Sequence, residues 1–292
     1  MINKRSLYFF MIFMILFTTY NYCQENNVTV SLGEDLALQQ RQQMLDLFNV
    51  DDKVRRVEVT NEEEREYLGK YIKEEYIGTK AISCAYVEKL DNNEGITVET
   101  YNINWVTKEM YMNALVTAGV KDAKVKVAAP VSVSGTAALT GIIKAFEDVS
   151  GVNVSNKEKE VANEEIAKTG KLGEEIGKQN ASQLIKEVKE EVASKNLKNE
   201  EEIREIVIKV AGQLDINLNS QQIDEIVILM KKVSELNLEI GEIKTQLKNI
   251  SDKLNEISEN SKEVKSLLQR IIDFLNRLFD NISTLVKNII EG

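Results

Sequence analysis

No histidine occurs anywhere in the 292 residues. That excludes Ser-His and Cys-His nucleophile pairs, histidine-ligated zinc and the usual proton shuttle near neutral pH. No metal site and no cofactor is expected. Only two cysteines are present, Cys23 and Cys84. If a leader is removed near Cys23, no intramolecular disulfide can form, and stability must come from packing. Cys84 lies in the alternating stretch AISCAYV without a basic neighbour to lower its pKa, which reads as a small buried apolar group rather than a nucleophile. A single tryptophan, Trp105, is too little for an aromatic sugar platform. Runs of lysine or arginine are also missing, and the formal net charge of -10 argues against nucleic acid and anionic surfaces as partners.

What is present begins with Lys4 and Arg5, followed by an eleven-residue apolar run from Leu7 to Phe17 and a polar stretch, TTYNYCQENN. This matches a secretory leader, and the run is short of the about 20 residues that span a bilayer. Tyr20, Asn21 and Tyr22 do not fit a small-x-small cleavage pattern. Cleavage near Cys23 is preferred over a retained anchor or a lipid on Cys23. The expected location is therefore secreted or extracellular, with association to the cell envelope.

From residue 24 to 153 short β-rich runs alternate with helical periods. VTVSL at 28–32 and VRRVEVT at 54–60 read as strands. Thr60 with Glu63 gives a capping box, and Thr107 caps KEMYMNALVTAG, which Gly119 ends. Residues 80–90 and 95–105, joined by DNNEG, read as a hairpin. DAKVKVAA is a further strand, and a helix follows from about Gly135 to Val149. Two strand-helix-strand units predict an α/β (α+β) domain with a mixed sheet. Beyond Val154 lysine, glutamate, isoleucine and leucine dominate, and strands are not expected. Breaks near 170–177, 194–199 and 215–220 divide a helical region, 154–219, from a heptad-patterned tail, 220–292.

VSLGEDLALQQRQQMLDLF, VEVTNEEEREYLG, IGTKAISCAYVEKL, GITVETYNINWVTKEMYMNALVTAGVKDAKVKVAAP and VSGTAALTGIIKAFE resemble, in order, successive blocks of the YpuA-like family. These are secreted proteins of low-GC Gram-positive bacteria, grouped as a domain of unknown function. The resemblance runs from about Val28 to Glu147 and more loosely beyond. It implies export, an α/β part followed by a helical part, and no assigned activity, so no catalytic residue carries over. Cys84 departs from the serine or other small residue that the resemblance leads one to expect.

The stretch KVKVAAPVSVSGTAALTG at 124–141 poses a choice. A phosphate loop combines several glycines with a lysine; here Gly135 is alone in the turn and no lysine follows until Lys144. Ser132, Ser134, Gly135 and Thr136 still open a helix whose free amides can hold a carboxylate or phosphate. The plainer reading makes Ser134 an N-cap and uses the small residues for close packing on the sheet. A serine-lysine pair would need Ser134 and Lys144 together, yet ten helical residues rise about 15 Å. Glu94, Glu99 and Glu109 are the remaining acid-base material for a hydrolase without histidine. Tyr86, Tyr101, Asn102, Asn104 and Trp105 form either a binding face or packing between sheet and helices.

The tail carries an unbroken heptad. From Ile226 the a positions run through Val233, Ile240, Leu247, Leu254, Ser261, Leu268 and Leu275; the d positions run Leu229, Leu236, Ile243, Ile250, Ile257, Val264, Ile271 and Leu278. Such a repeat calls for a partner helix. That partner is a second copy, a hairpin at Asn260–Ser261, or the preceding helices. A homo-oligomer through residues 220–290 is the favoured outcome, with membrane contact disfavoured. The expected protein is thus a non-catalytic envelope or extracellular interaction protein, with an anion-binding domain as the alternative.

Overall fold

The computed structural model describes residues 27–236 and 245–246. Its sheet is built from β1 (Val28–Gly33), β2 (Arg55–Val59), β3 (Cys84–Lys89), β4 (Ile96–Ile103) and β5 (Ala123–Val133), in the order β2-β1-β3-β5-β4. β1 and β2 run parallel, as do β4 and β5, while β3 is antiparallel to both neighbours. The two parallel pairs are the strand-helix-strand units, connected by α1 (Leu38–Phe48) and α4 (Lys108–Thr117). The mixed sheet read from the sequence is present, and with its helices makes an α+β fold.

The hairpin expected at DNNEG is not formed. β3 and β4 lie on either side of β5, which inserts between them. Asp122, at the foot of β5, explains how the connection straddles it: its carbonyl accepts from the Leu90 amide at 2.7 Å and its carboxylate from the Gly95 amide at 2.7 Å. A turn sequence reports only that the chain bends, and a more distant strand won the pairing.

Each face of the sheet has its own cover. Val28, Val30 and Leu32 of β1 pack with Met44, Leu45 and Phe48 of α1. The alternate β1 residues, Thr29 and Ser31, belong to the opposite face, covered by α5 (Thr136–Ser150). Period-two alternation explains why every β1 residue is buried. Thr29 donates to Asp148 of α5 at 2.6 Å. A Cβ at Gly141 of α5 would lie 2.3 Å from the Ser31 hydroxyl, so the small residues of this helix permit the close approach expected of them. Cys84 is fully buried beside α1. Burial pushes its thiol up to about 11, as suits a packing group.

Three short connections carry α2 (Asn61–Leu68), with its Thr60–Glu63 capping box, and the single-turn α3 (Glu74–Ile77). Then follow α6 (Asn156–Ile176), α7 (Lys178–Ser194), α8 (Glu200–Gln213) and α9 (Ser220–Ser234), broken at the three places the sequence suggests. Leu184, Val188, Ile203, Val207, Leu229 and Met230 form their shared core.

This helical layer is continuous with the α/β part. α6 packs on α2 and α4, and a buried polar knot crosses the change of sequence pattern at 153/154. Lys189 of α7 donates to Glu165 of α6 at 2.6 Å, to Thr117 at 2.7 Å and to the Asn113 carbonyl of α4 at 2.8 Å. Thr117 in turn donates to Glu165 at 2.5 Å. Ile226, Leu229, Val233 and Leu236, the opening a and d positions of the heptad, are buried inside this layer. The later seam positions, Ile240 to Leu278, lie outside the described residues.

Candidate functional site

Pairing of β3 with β5 stops at Cys84–Ala128, and beyond it the two chains part. On one side Ala81 is drawn away: its amide donates to the Asp35 carboxylate at 2.8 Å, and its carbonyl accepts from the Asp35 amide at 3.2 Å. On the other side β5 bulges, because its register with β4 jumps from Tyr101–Ala128 to Ile103–Val133. Asn102, in the left-handed conformation at φ 59, spans the bulge by donating to the Ala129 carbonyl at 2.9 Å. Pro130 suits this place, since it has no amide to leave unpaired. The fork leaves a cleft of about 490 Å³. Residues 75–80 and 82–83 line one wall, 132–134 and Asn104 the other, and Glu64, Thr136 and Ala137 the remainder.

The four residues singled out for an anion meet here, but in a different arrangement. Gly135, not Ser134, is the N-cap of α5, at φ 91. A side chain there would strike Ile103 and the Tyr111 hydroxyl, each 2.5 Å from the would-be Cβ. Tyr111 instead donates to the Gly135 carbonyl at 2.5 Å. Ser134 donates to the Tyr76 carbonyl at 2.6 Å. Thr136 donates to the Glu64 carboxylate at 2.5 Å and lies 3.1 Å from the same Tyr76 carbonyl. Ser132, at the rim, accepts from Asn104 at 3.1 Å. Both inner hydroxyls are therefore engaged in holding the wall, and the protein's own Glu64 supplies a carboxyl beside the start of α5.

Glu64 is the residue that the sequence reading passed over. It sat in a run of glutamates, NEEEREYLG, that looks like a solvated helix start. Its signal was position: it stands four residues before Leu68, so the two share one face of α2, and both are buried. Burial is the dominant influence on Glu64 and pushes its carboxyl up to about 7, despite the hydrogen bond from Thr136. A buried acid that changes charge near neutrality at the edge of a cleft is the pattern of a functional site.

The other candidates are dispersed. Lys144 is turned to Glu63, at 2.7 Å, and to the Glu58 carbonyl, at 2.6 Å, so Ser134 has no lysine partner. Glu99 accepts from Tyr101 at 2.9 Å, and neither it, Glu94 nor Glu109 lines the cleft. Trp105 is buried and stacks on Tyr76 with ring centroids 4.8 Å apart. Its indole nitrogen donates to Glu174 of α6 at 2.9 Å, and the Tyr76 hydroxyl donates to the same oxygen. The tryptophan thus braces the α3 wall from behind. Tyr86 packs on Phe48 under Lys126, whereas Tyr101 is exposed.

The family described as "Protein of unknown function (DUF1002)" matches residues 32–250, a span that includes the cleft and the whole described helical layer. The chain belongs to the DUF1002 family. It is also 46% identical over 216 residues to the "Uncharacterized protein YpuA" of Bacillus subtilis (strain 168), covering 74% of each chain. The YpuA-like resemblance is therefore shown. No solved structure matches. The DUF1002 match does not stop at the sequence change near residue 154, in keeping with the core that α4, α6 and α7 share. Among the described residues there is no group of acidic or cysteine side chains placed to hold a metal, and no helix is long and apolar enough to cross a membrane.

Proposed function

We propose that this DUF1002 protein acts outside the cytoplasm by binding rather than by turnover, with the cleft between β3 and β5 as its receiving surface. One observation carries the reading: Ser134 and Thr136, the hydroxyls best placed to react, donate to the Tyr76 carbonyl and to Glu64. A nucleophile needs a base within about 3 Å and an open path to substrate. Ser134 faces a carbonyl and a second hydroxyl instead of a base, and Thr136, which does meet the Glu64 carboxylate, is 1% exposed and closed in by the Tyr76 carbonyl. The exported location rests on Lys4, Arg5 and the apolar run to Phe17.

A broad hydrolase screen of the purified chain from residue 24 onward tests this. The expected result is no turnover. Turnover abolished by Ser134→Ala would overturn it. Thermal-shift measurements with phosphorylated and carboxylated metabolites then probe the cleft itself. With the Glu64 carboxyl already beside the start of α5, free anions are expected to bind weakly above neutral pH, and better once Glu64 is protonated.

A further inference from the structure

One turn along α5 from Thr136 stands Thr140, and one turn further Lys144, so the three share a stripe. α2 and α6 face the later part of this stripe and enclose a second, separate pocket of about 190 Å³. Two of its side chains are anomalous. Thr140 is 5% exposed and Asn163 1% exposed, and among the described residues neither the Thr140 hydroxyl nor the Asn163 Oδ1 has a hydrogen-bond partner. The orientation of Asn163 is set by its other end, since Nδ2 donates to the Lys159 carbonyl at 2.8 Å. A buried polar atom left unpaired costs on the order of 1–3 kcal/mol, so two around one pocket call for an occupant.

The charges describe that occupant. Lys144 pairs with Glu63 at 2.7 Å, and Lys159 pairs with Glu147 at 2.9 Å. All four line the pocket, with Ile143 and Tyr67 supplying apolar surface. Two cations balance two anions, so a ligand with a net charge would leave one sign unmatched in a partly desolvated place. A small molecule carrying both signs is matched at each end: its donor group meets Asn163 Oδ1 and the glutamates, its acceptor meets Thr140 and the lysines. The volume lies below the about 300 Å³ at which drug-sized sites begin, so the molecule has few heavy atoms.

We propose that the pocket between α2, α5 and α6 binds a small zwitterion, a free α-amino acid with a short apolar side chain, through Thr140, Asn163 and the two lysine-glutamate pairs. The side chain lies against Ile143 and Tyr67. This site is independent of the cleft between β3 and β5, and either reading can fail without the other.

Isothermal titration of the chain from residue 24 onward with L-alanine and L-valine tests it, alongside L-alaninamide and N-acetyl-L-alanine. Saturable binding of a free amino acid is expected, with both blocked forms weaker by about tenfold or more, the loss of one charged hydrogen bond. Thr140→Val, close to the native shape, is expected to weaken the amino acid by a similar factor. Without ligand its melting temperature should not fall, because it removes an unpaired hydroxyl. Absence of binding by both free amino acids would mean that water satisfies the two atoms and would overturn the proposal. Blocked forms binding as well as the free ones would overturn zwitterion recognition, whatever the variant does.

Discussion

Glu64 concentrates the chemistry of the cleft in one proton. When ionised it accepts from Thr136, and the Tyr76 carbonyl keeps only Ser134 as a donor. Once protonated it can donate to Thr136, whose own hydrogen is then released toward the Tyr76 carbonyl 3.1 Å away. A carboxyl whose folded pKa is about 7 against an ordinary 4.5 binds its proton more tightly in the folded chain. Its contribution to stability is therefore fully present below pH 4.5 and is lost as pH rises to about 7, on the order of 3 kcal/mol at most. Urea unfolding across that interval should show stability falling with pH by this component. Glu64→Gln, neutral throughout, should flatten the slope and be the more stable protein above pH 7. An unchanged slope in Glu64→Gln would show that the proton resides elsewhere. The residue itself was hidden because a glutamate run is usually a solvated face, and only its spacing from Leu68 distinguished it.

Elements were legible where their signals are local and obscure where they are not. Thr60 with Glu63 and Thr107 were identified as caps because a hydroxyl and the amide three residues on are fixed by one turn of chain, and both hydrogen bonds are formed. Ser134 failed by the same logic: a carbonyl on α3, 58 residues away in sequence, competes for its hydroxyl. Strand pairing is likewise non-local, so DNNEG was visible as a turn but the insertion of β5 was not. The small residues of α5 were legible as a packing surface, and Gly141 makes that testable. In Gly141→Ala the new methyl meets Ser31 Oγ at 2.3 Å and Val59 at 3.2 Å. Overpacking of this kind should cost about 1–3 kcal/mol, outweighing the roughly 1 kcal/mol gained in helix propensity. Adding Ser31→Gly removes the obstructing hydroxyl, and the double variant should recover part of the loss in a urea midpoint measurement. The knot of α4, α6 and α7 gives a second test. Lys189→Ala strands Glu165 in a buried place and should destabilise by about 3–5 kcal/mol, whereas Lys189→Met with Glu165→Leu should restore most of it. Equal losses in the single and double variants would show that the buried ion pair and its hydrogen bonds, not the volume the two side chains fill, hold the three helices.

At the scale of the whole molecule the heptad repeat has two readers. Ile226, Leu229, Val233 and Leu236 are buried by α6, α7 and α8, so the opening of the seam serves the chain's own core. A helix within a bundle and a helix in a coiled coil share an apolar stripe, and this is why the sequence placed the tail boundary at 219/220. The compact unit that holds the described residues runs to Lys248. Cutting the chain at Asn219 would remove α9 and expose the core around Leu229 and Met230, confusing misfolding with loss of association. A chain ending at Lys248 separates the two. It should keep the helicity and unfolding cooperativity of residues 27–236, because every element of their core is retained. If the repeat beyond Lys248 seeks a second copy, light scattering after size exclusion should give an oligomer for the chain ending at Gly292 and a monomer for the one ending at Lys248. Two copies burying Leu254, Ile257, Leu268, Ile271, Leu275 and Leu278 against each other have concentration-dependent stability, so the melting temperature of the longer chain should also rise with dilution reversed. A full chain that stays monomeric at tens of micromolar would show that these positions are satisfied within one molecule, and self-association would then be excluded as the way this protein presents its cleft.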